Sequence, residues 1–291
     1  MINYNFAVYI LTHQRADNVI TYDSLKAHNY TGKIYFVLDN TDTQIKEYEE
    51  NFGEENIRIF DKQYYHDNYD TGNNLKELAK SIFYARNAVF DIAKKDEVDY
   101  FLVLDDDYPF FAYRYADGET LRAENIKNLD NIINLYLDYF SKLPKNIKSI
   151  CFAQGGDYIG GVHSSIYEQR VLRKAMNALF FKTDNPIEYI GEVNEDVNTY
   201  VLNNRIGNIF FTFREVMVGH MSTQSQAGGM TDLYLDMGTY YKSFYSVMYI
   251  PSAVKISTMG RKNRRIHHKV FWNDVKVPIL SDKYKKGVEN G

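Results

Sequence analysis

Two spacings of apolar residues alternate along the first half of the chain. Phe6–Leu11 (FAVYIL), Lys33–Leu38 (KIYFVL), Ile57–Phe60 and Tyr100–Leu104 (YFLVL) are short, nearly continuous apolar runs that stop at polar residues. Runs of that length and composition predict strands, and their unbroken apolar character predicts a sheet covered on both faces. Between them the spacing is helical. Asp17–His28 predicts a helix with Val19, Ile20 and Leu25 inward, Thr43–Phe52 a polar helix, and Asn73–Lys94 a long one with Leu75, Leu78, Ile82, Val89 and Ile92 on one side. This alternation predicts an α/β fold, a Rossmann-type, mainly parallel sheet flanked by helices.

The second half is less regular. Asn125–Leu143 predicts a helix, Ile147–Phe152 a strand, and Gly155–Gly161 a glycine-rich loop. Leu179–Phe181 and Ile209–Phe213 predict strands, Glu195–Leu202 begins a helix, and Gly228-Gly229 sits in a polar loop.

Parallel sheets bind ligands beyond the carboxyl ends of their strands. Three polar clusters fall at such ends: Thr12-His13, Asp39-Asn40 and Asp105-Asp106-Asp107. The acidic triplet carries the most chemistry. Adjacent carboxylates repel one another unless a cation or hydrogen-bond donors neutralise them. Hard oxygen ligands suit Mg²⁺ or Mn²⁺ bridged to a diphosphate; the competing reading is an exposed acidic turn.

Other candidates are weaker alone. Arg86-Asn87 reads either as an ion-pair partner or as a contact to a nucleotide or sugar. Glu195-Asp196 reads as a catalytic base or as charge favoured at a helix start. His220 reads as a third metal ligand or as a structural histidine. The Gly155–Gly161 loop carries little side chain, so its backbone is open to close approach. No GxxxxGK[ST] loop, GxGxxG after the first strand, GxSxG elbow or HExxH helix is present, which excludes those phosphate, dinucleotide, hydrolase and zinc chemistries.

Composition narrows the class. With 291 residues, 45% hydrophobic and 15% aromatic, the chain has material for a sizeable core. A single cysteine, Cys151, excludes a disulfide scaffold or a cysteine-based zinc site. No apolar run reaches membrane-spanning length. The start, MINYNFAVYILTH, lacks a basic region and a cleavage site, so a cytoplasmic location is expected.

Net charge is −4, but it is unevenly placed. Residues 251–291 hold ten Lys/Arg and three acids, a net +7, which leaves −11 for residues 1–250. A basic tail on an acidic body is either a solvated terminus or a polyanion-binding segment. His267, His268, Phe271 and Trp272 are interleaved with the basic residues, and such aromatics dock on the body or stack on bases. The expected division is a catalytic domain over 1–250 (donor half 1–110, acceptor half 111–250) and a basic segment over 251–291.

The order of elements resembles a GT-A glycosyltransferase: Thr12, His13 and Arg15 after the first strand, Asp39 after the second, Ala85-Arg86-Asn87 in a helix, the acidic triplet as a DxD motif, then the glycine-rich loop and Glu195-Asp196. VLDDDYPFF, GHMSTQSQAGGM (219–230) and RIHHKVFWNDVKVPIL (265–280) are similar to the TET-associated glycosyltransferases, phage and related enzymes that glycosylate hydroxymethylated pyrimidines in DNA. The resemblance covers residues 5–225 and the tail. It implies a UDP-sugar donor with Mn²⁺ or Mg²⁺, the ion held by Asp105, Asp107 and His220. Thr12, His13, Arg15, Asp39, Arg86, Asn87 and Asp106 would line the donor side. Asp196, with Glu195, would match the catalytic base. Gly155, Gly156, Arg261, Lys262, Arg264, Arg265, His267, His268 and Lys269 would face a DNA acceptor. For a phage-encoded chain the location would be the host cytoplasm. Competing readings are transfer to a surface glycan or other small acceptor, metal-dependent nucleotidyl transfer, and a non-enzymatic binding protein.

Overall fold

The computed structural model describes residues 1–72, 81–169, 171–172, 174–176, 178–220, 241–259 and 264–275. Its strands are β1 (Phe6–Leu11), β2 (Lys33–Asp39), β3 (Ile57–Phe60), β4 (Tyr100–Asp105), β5 (Phe111–Asp117), β6 (Thr120–Asn125), β7 (Ile147–Gln154), β8 (Val171–Leu172), β9 (Leu179–Lys182), β10 (Ile209–Val218), β11 (Val254–Met259) and β12 (Arg265–Val270). Its helices are α1 (Ile20–Ala27), α2 (Ile45–Phe52), α3 (Lys62–Asn68), α4 (Phe83–Lys95), α5 (Leu129–Ser141), α6 (Ser165–Gln169), α7 (Glu195–Arg205), α8 (241–249) and α9 (Trp272–Val275).

One large sheet runs β3-β2-β1-β4-β9-β7-β10-β5-β6, with β8 paired to β10. From β3 to β4 every pairing is parallel, as the sequence predicts. Beyond β4 the sheet is mixed: β9 runs antiparallel to both β4 and β7, and β5–β6 form an antiparallel hairpin. The α/β architecture is as expected, with a mixed half, in which β7 and β10 are parallel, joined to the parallel one.

The unbroken apolar runs have the predicted cause. In β1, Phe6, Val8 and Ile10 enter one core, while Ala7, Tyr9 and Leu11 enter the core on the other face. β4 divides in the same way, Leu102 and Leu104 against Phe101 and Val103. Each fully buried aliphatic or aromatic side chain contributes about 1.5–3 kcal/mol.

Helix boundaries differ from the sequence reading where backbone groups are used elsewhere. Asn125 ends β6 and Ile126 N bonds Phe111 O at 3.0 Å, so α5 starts only at Leu129, capped by the Asn128 side chain on Asn131 N at 3.0 Å. Residues 15–18 form a turn ahead of α1, with Asn18 N on Arg15 O at 2.9 Å. The long helix expected from Asn73 is described from Phe83 onward; residues 73–80 lie outside the described residues, as does Gly228-Gly229.

Beyond 250 the described residues form the two-stranded β11–β12 sheet and α9. Ala253, Val254 and Val275 are buried in the same core as α4 and α7, and Trp272 stacks on Tyr200 of α7 with ring centroids 5.6 Å apart. Among the described residues no helix is long and apolar enough to cross a membrane.

Candidate active site

Because β1 to β4 are parallel, their carboxyl ends share one edge. Leu11 pairs with Asp105 and with Val37, and Asp39 pairs with Phe60. That register draws Thr12, Asp39 and the acidic triplet to the rim of one cleft of about 270 Å³, which Leu11, Phe60, Ile82 and Ala85 line on its apolar side. His13, Arg15, Lys62 and Ser81 also line it.

The three aspartates do different things. Asp106 is buried and turned into the protein: Oδ1 accepts from Arg15 Nη1 at 2.6 Å and Oδ2 from Thr12 Oγ1 at 2.8 Å. Thr12 and the Arg15 backbone N–H are themselves tied to the Tyr48 hydroxyl at 2.8 and 2.9 Å. Thr12, Arg15 and Asp106 therefore anchor the turn. Asp105 and Asp107 flank that anchor and line the cleft. Asp105 Oδ2 accepts from the Tyr108 hydroxyl at 3.0 Å, and Arg86 Nη2 lies 3.6 Å from its Oδ1. Burial, then the neighbouring Asp105 and Asp106, push the Asp107 carboxyl up to about 6.

His220 lies beside this turn, its ring edge-on to Tyr108 at 4.8 Å. Its Nε2 is buried and has no hydrogen-bond partner among the described residues. Burial lowers its pKa against the pull of Asp105 and Asp157, which keeps the imidazole neutral, the form that ligates metals. Among the described residues no three acidic, His or Cys side chains form a closed metal cage. The donor set nonetheless fits a hard divalent ion. Asp107 is crowded by like charge, His220 has an orphaned nitrogen, and Mg²⁺ characteristically completes its shell with phosphate oxygens and water.

Asp39 closes the far side. Thr41 N donates to Oδ1 at 2.9 Å and the Thr41 hydroxyl donates to the same oxygen. His13 Nδ1 is 3.1 Å and Lys62 Nζ 3.8 Å from Oδ2. Burial opposes ionisation here, but His13, Thr41 and Lys62 outweigh it and hold the carboxyl down at about 2.

Arg86 is buried between two acidic groups. Its Nη2 faces Asp105, and its Nε is 3.3 Å from Glu195 Oε1 at the start of α7, without hydrogen-bond alignment. The triplet and the Glu195-Asp196 pair are thus joined by one guanidinium. Burial raises the pKa of both Glu195 and Asp196, with Arg86 opposing. Asp196 Oδ1 accepts from Val197 N at 2.7 Å. Asn87 faces elsewhere: its amide exchanges two hydrogen bonds with the Tyr189 backbone, at 2.8 and 3.1 Å.

Gly155 and Gly156 form an exposed turn with open space where side chains would project, so nothing in the protein's own packing demands glycine there. The next residue, Asp157, bonds Gln154 N at 3.0 Å and pairs with Lys174.

In the tail hairpin Lys255 pairs with Lys269, Ser257 with His267 and Met259 with Arg265. Alternate pairs share a face, so Lys255, Lys269, His267 and Arg265 line one side. Arg264, Arg265 and Lys269 are exposed; His267 and His268 are half-buried. Lys255 and Lys269 lie 5.4 and 5.3 Å from the Phe271 ring centroid. Arg265 and His267 sit close enough to Lys242 for their charges to interact, and Lys242 in turn interacts with Asp196. Arg261 and Lys262 lie outside the described residues, as do 221–230 of the loop after His220.

Sequence reasoning missed Tyr48, Asp42, Lys62, Thr21, Tyr108 and Lys242. Thr21 pins the triplet's backbone, its hydroxyl donating to Asp105 O at 2.6 Å and accepting from Tyr108 N at 2.9 Å. Asp42, near His13, holds Gln14 N at 2.7 Å. Of these, only Tyr108 carried a signal, its adjacency to the triplet.

The family model of the TET-associated glycosyltransferases matches residues 6–229. No curated protein matches the chain. Among solved structures, glucosyl-3-phosphoglycerate synthase from Mycobacterium tuberculosis, in complex with Mg²⁺ and UDP, aligns at 9% identity with a TM-score of 0.45, over 92% of this chain and 88% of that one. The same synthase with Mn²⁺ and UDP-glucose aligns at 7% identity and a TM-score of 0.47, over 92% and 87%. S. aureus TarS 1–349 aligns at 14% identity and 0.40, over 74% and 60%.

Proposed function

The chain belongs to the TET-associated glycosyltransferase family, and we propose on that premise that it moves a sugar from a UDP-sugar to a hydroxymethylated pyrimidine in DNA, with Mn²⁺ or Mg²⁺ as the ion. The observation that carries the reading is the junction at Lys242. Lys242 is near enough to Asp196 and Glu195 to be attracted by their charge and near enough to Arg265 of the tail hairpin to be repelled by it, so the acidic pair and the basic face are neighbours.

In this reading Asp105, Asp107 and His220 hold the ion. When bound, it supplies positive charge to the leaving diphosphate. Asp106, clamped by Thr12 and Arg15, keeps the two outer carboxylates at the rim. Asp39 with His13 and Lys62 forms the polar end of the nucleoside site, and Leu11, Phe60, Ile82 and Ala85 its apolar wall.

Asp196 takes the proton from the acceptor hydroxyl. Its burial makes it a stronger base than an exposed carboxylate, and Glu195, held by Arg86, shares the local charge. Lys255, Arg265, His267 and Lys269 contact phosphates, which gives sequence-independent, salt-sensitive affinity. A duplex acceptor requires the target base to leave the stack, at a cost of a few kcal/mol. The division of labour we infer assigns residues 1–110 to the donor, 111–250 to the acceptor, and 251–291 to the nucleic-acid backbone.

The test incubates the protein with Mn²⁺, a panel of UDP-sugars, and either hydroxymethylated or unmodified DNA. Mass spectrometry of the digested nucleosides then reads the product. Expected is a hexose or pentose mass on the hydroxymethylated base alone. Transfer to a glycan or small acceptor with none to DNA would refute the acceptor assignment. Asp196→Asn should reduce turnover at least 100-fold while UDP binding with Mn²⁺ is retained; a parental rate removes Asp196 as the base.

A further inference from the structure

A second buried polar cluster lies behind the donor cleft, and the chemistry above does not use it. Glu192 is fully buried, three residues before Glu195. Its Oε1 accepts from the Tyr84 hydroxyl and lies 3.9 Å from His66 Nδ1, which is itself 3.2 Å from that hydroxyl. The Glu192 backbone is equally committed. Its N–H reaches Thr71 O at 3.0 Å and the Tyr245 hydroxyl at 3.3 Å, and its carbonyl accepts from Ser81 Oγ at 2.7 Å. Gly191 N bonds Asp70 O at 2.8 Å.

Two features connect this cluster to the reacting groups. First, α4 grips the segment before α7 at successive points: Asn87 on the Tyr189 backbone, Tyr84 on Glu192, Arg86 on Glu195. Second, Lys62 bridges to the cleft. Its ammonium is 5.4 Å from the Tyr84 ring centroid and 3.8 Å from Asp39 Oδ2. A chain of contacts therefore runs from the Asp39 end of the cleft, through the Lys62 ammonium over the Tyr84 ring and the Tyr84–Glu192 hydrogen bond, to the segment that precedes Asp196.

A buried carboxylate costs free energy unless donors surround it. Glutamate is a costly way to fill a core position, and here its donors come from α3 and α4, which also form the cleft wall. We infer that Glu192 is a positioning residue for the Glu195-Asp196 pair, and that Tyr84, His66 and Lys62 link that position to the floor of the donor cleft. The inference rests on the reading of Asp196 as the base only for its kinetic consequence.

Hydrogen exchange of the ligand-free protein tests the tether directly. Tyr84→Phe should speed exchange at the Gly191 and Glu192 amides at least tenfold, with β1 and β4 unchanged. Glu192→Gln retains an oxygen for the Tyr84 hydroxyl and should remain near the parent. Tyr65→Phe removes a different hydroxyl bond, to Asp91 Oδ2 at 2.7 Å, and should leave 189–196 unchanged. Unchanged exchange in Tyr84→Phe, or equal loosening of the whole sheet, overturns the tether.

With UDP and Mn²⁺ at concentrations that saturate each protein, exchange at Gly191 and Glu192 should slow in the parent and not in Lys62→Met. Equal slowing in both removes Lys62 from the link. In turnover, Tyr84→Phe should lower kcat at least tenfold with donor KM within twofold. A raised KM at constant kcat overturns the positioning role. If the parent transfers no sugar yet the local exchange change holds, the glycosyl-transfer reading fails and the tether stands.

Discussion

Within the acidic triplet, adjacent identical residues have opposite duties. Asp106 is an anchor and Asp107 lines the cleft, so their substitutions should separate. Asp107→Asn should retain the parental melting temperature and lose the extra stabilisation that UDP with Mn²⁺ provides, read by thermal shift. Asp106→Ala should melt earlier by the equivalent of about 2–3 kcal/mol, because the Arg15 and Thr12 donors lose a charged acceptor. Asp39 has a pH signature. Its folded pKa of about 2 lies below the unfolded value, so its stabilising contribution is complete above pH ~4 and disappears as pH falls toward 2. That contribution is about 2 kcal/mol. Denaturant titrations of the parent and Asp39→Asn should converge at the acid end of that window and differ at pH 6; parallel curves would contradict it.

Elements carry the next level of organisation. The segment before α7 turns tightly at Gly191, where φ is +80°. A β-carbon there would meet Tyr245 Cε1 at 2.7 Å and Asn198 Nδ2 at 2.9 Å. Gly191→Ala should therefore destabilise by about 2–4 kcal/mol, from left-handed strain plus overpacking, measurable by chemical denaturation. The parallel strands and the rim they form were legible in sequence because the apolar runs are short, rich in β-branched and aromatic residues, and end at polar residues. The β5–β6 hairpin was missed because its strands are largely exposed and weakly patterned, although Asp117-Gly118 is a turn signal. α3, KQYYHDN, has too few apolar positions to show a helical stripe, so Lys62 and His66 were invisible with it. Arg86 and Asn87 were singled out together, but adjacency in sequence concealed that one lies between carboxylates while the other holds the Tyr189 backbone. No local pattern encodes which side a helix presents to a distant loop.

At the scale of the whole molecule, charge separation becomes a geometric fact. The body's −11 includes the carboxylates of the cleft, and the tail's +7 includes the exposed face of β11–β12. The hairpin is also part of the fold, since Val254 and Val275 are buried in the body's core. Deleting it would confound affinity with folding. Replacing Lys255 and Lys269 together by alanine removes charge from exposed positions and should leave melting nearly unchanged. If both meet phosphates, the slope of log affinity against log salt should fall in magnitude by about 1.8 on duplex DNA. An unchanged slope would remove this face from the nucleic-acid contact.

Trp272 is the chain's single tryptophan, and it lies flat against Tyr200, on the helix that begins with Glu195-Asp196. The molecule thus carries one indole, which red-edge excitation separates from its tyrosines, placed where the tail segment meets the helix of the candidate base. Its emission reports on a single junction with no background from other indoles. Any event that lifts the tail or shifts that helix is visible as a change in one spectrum, in the unlabelled protein and in real time.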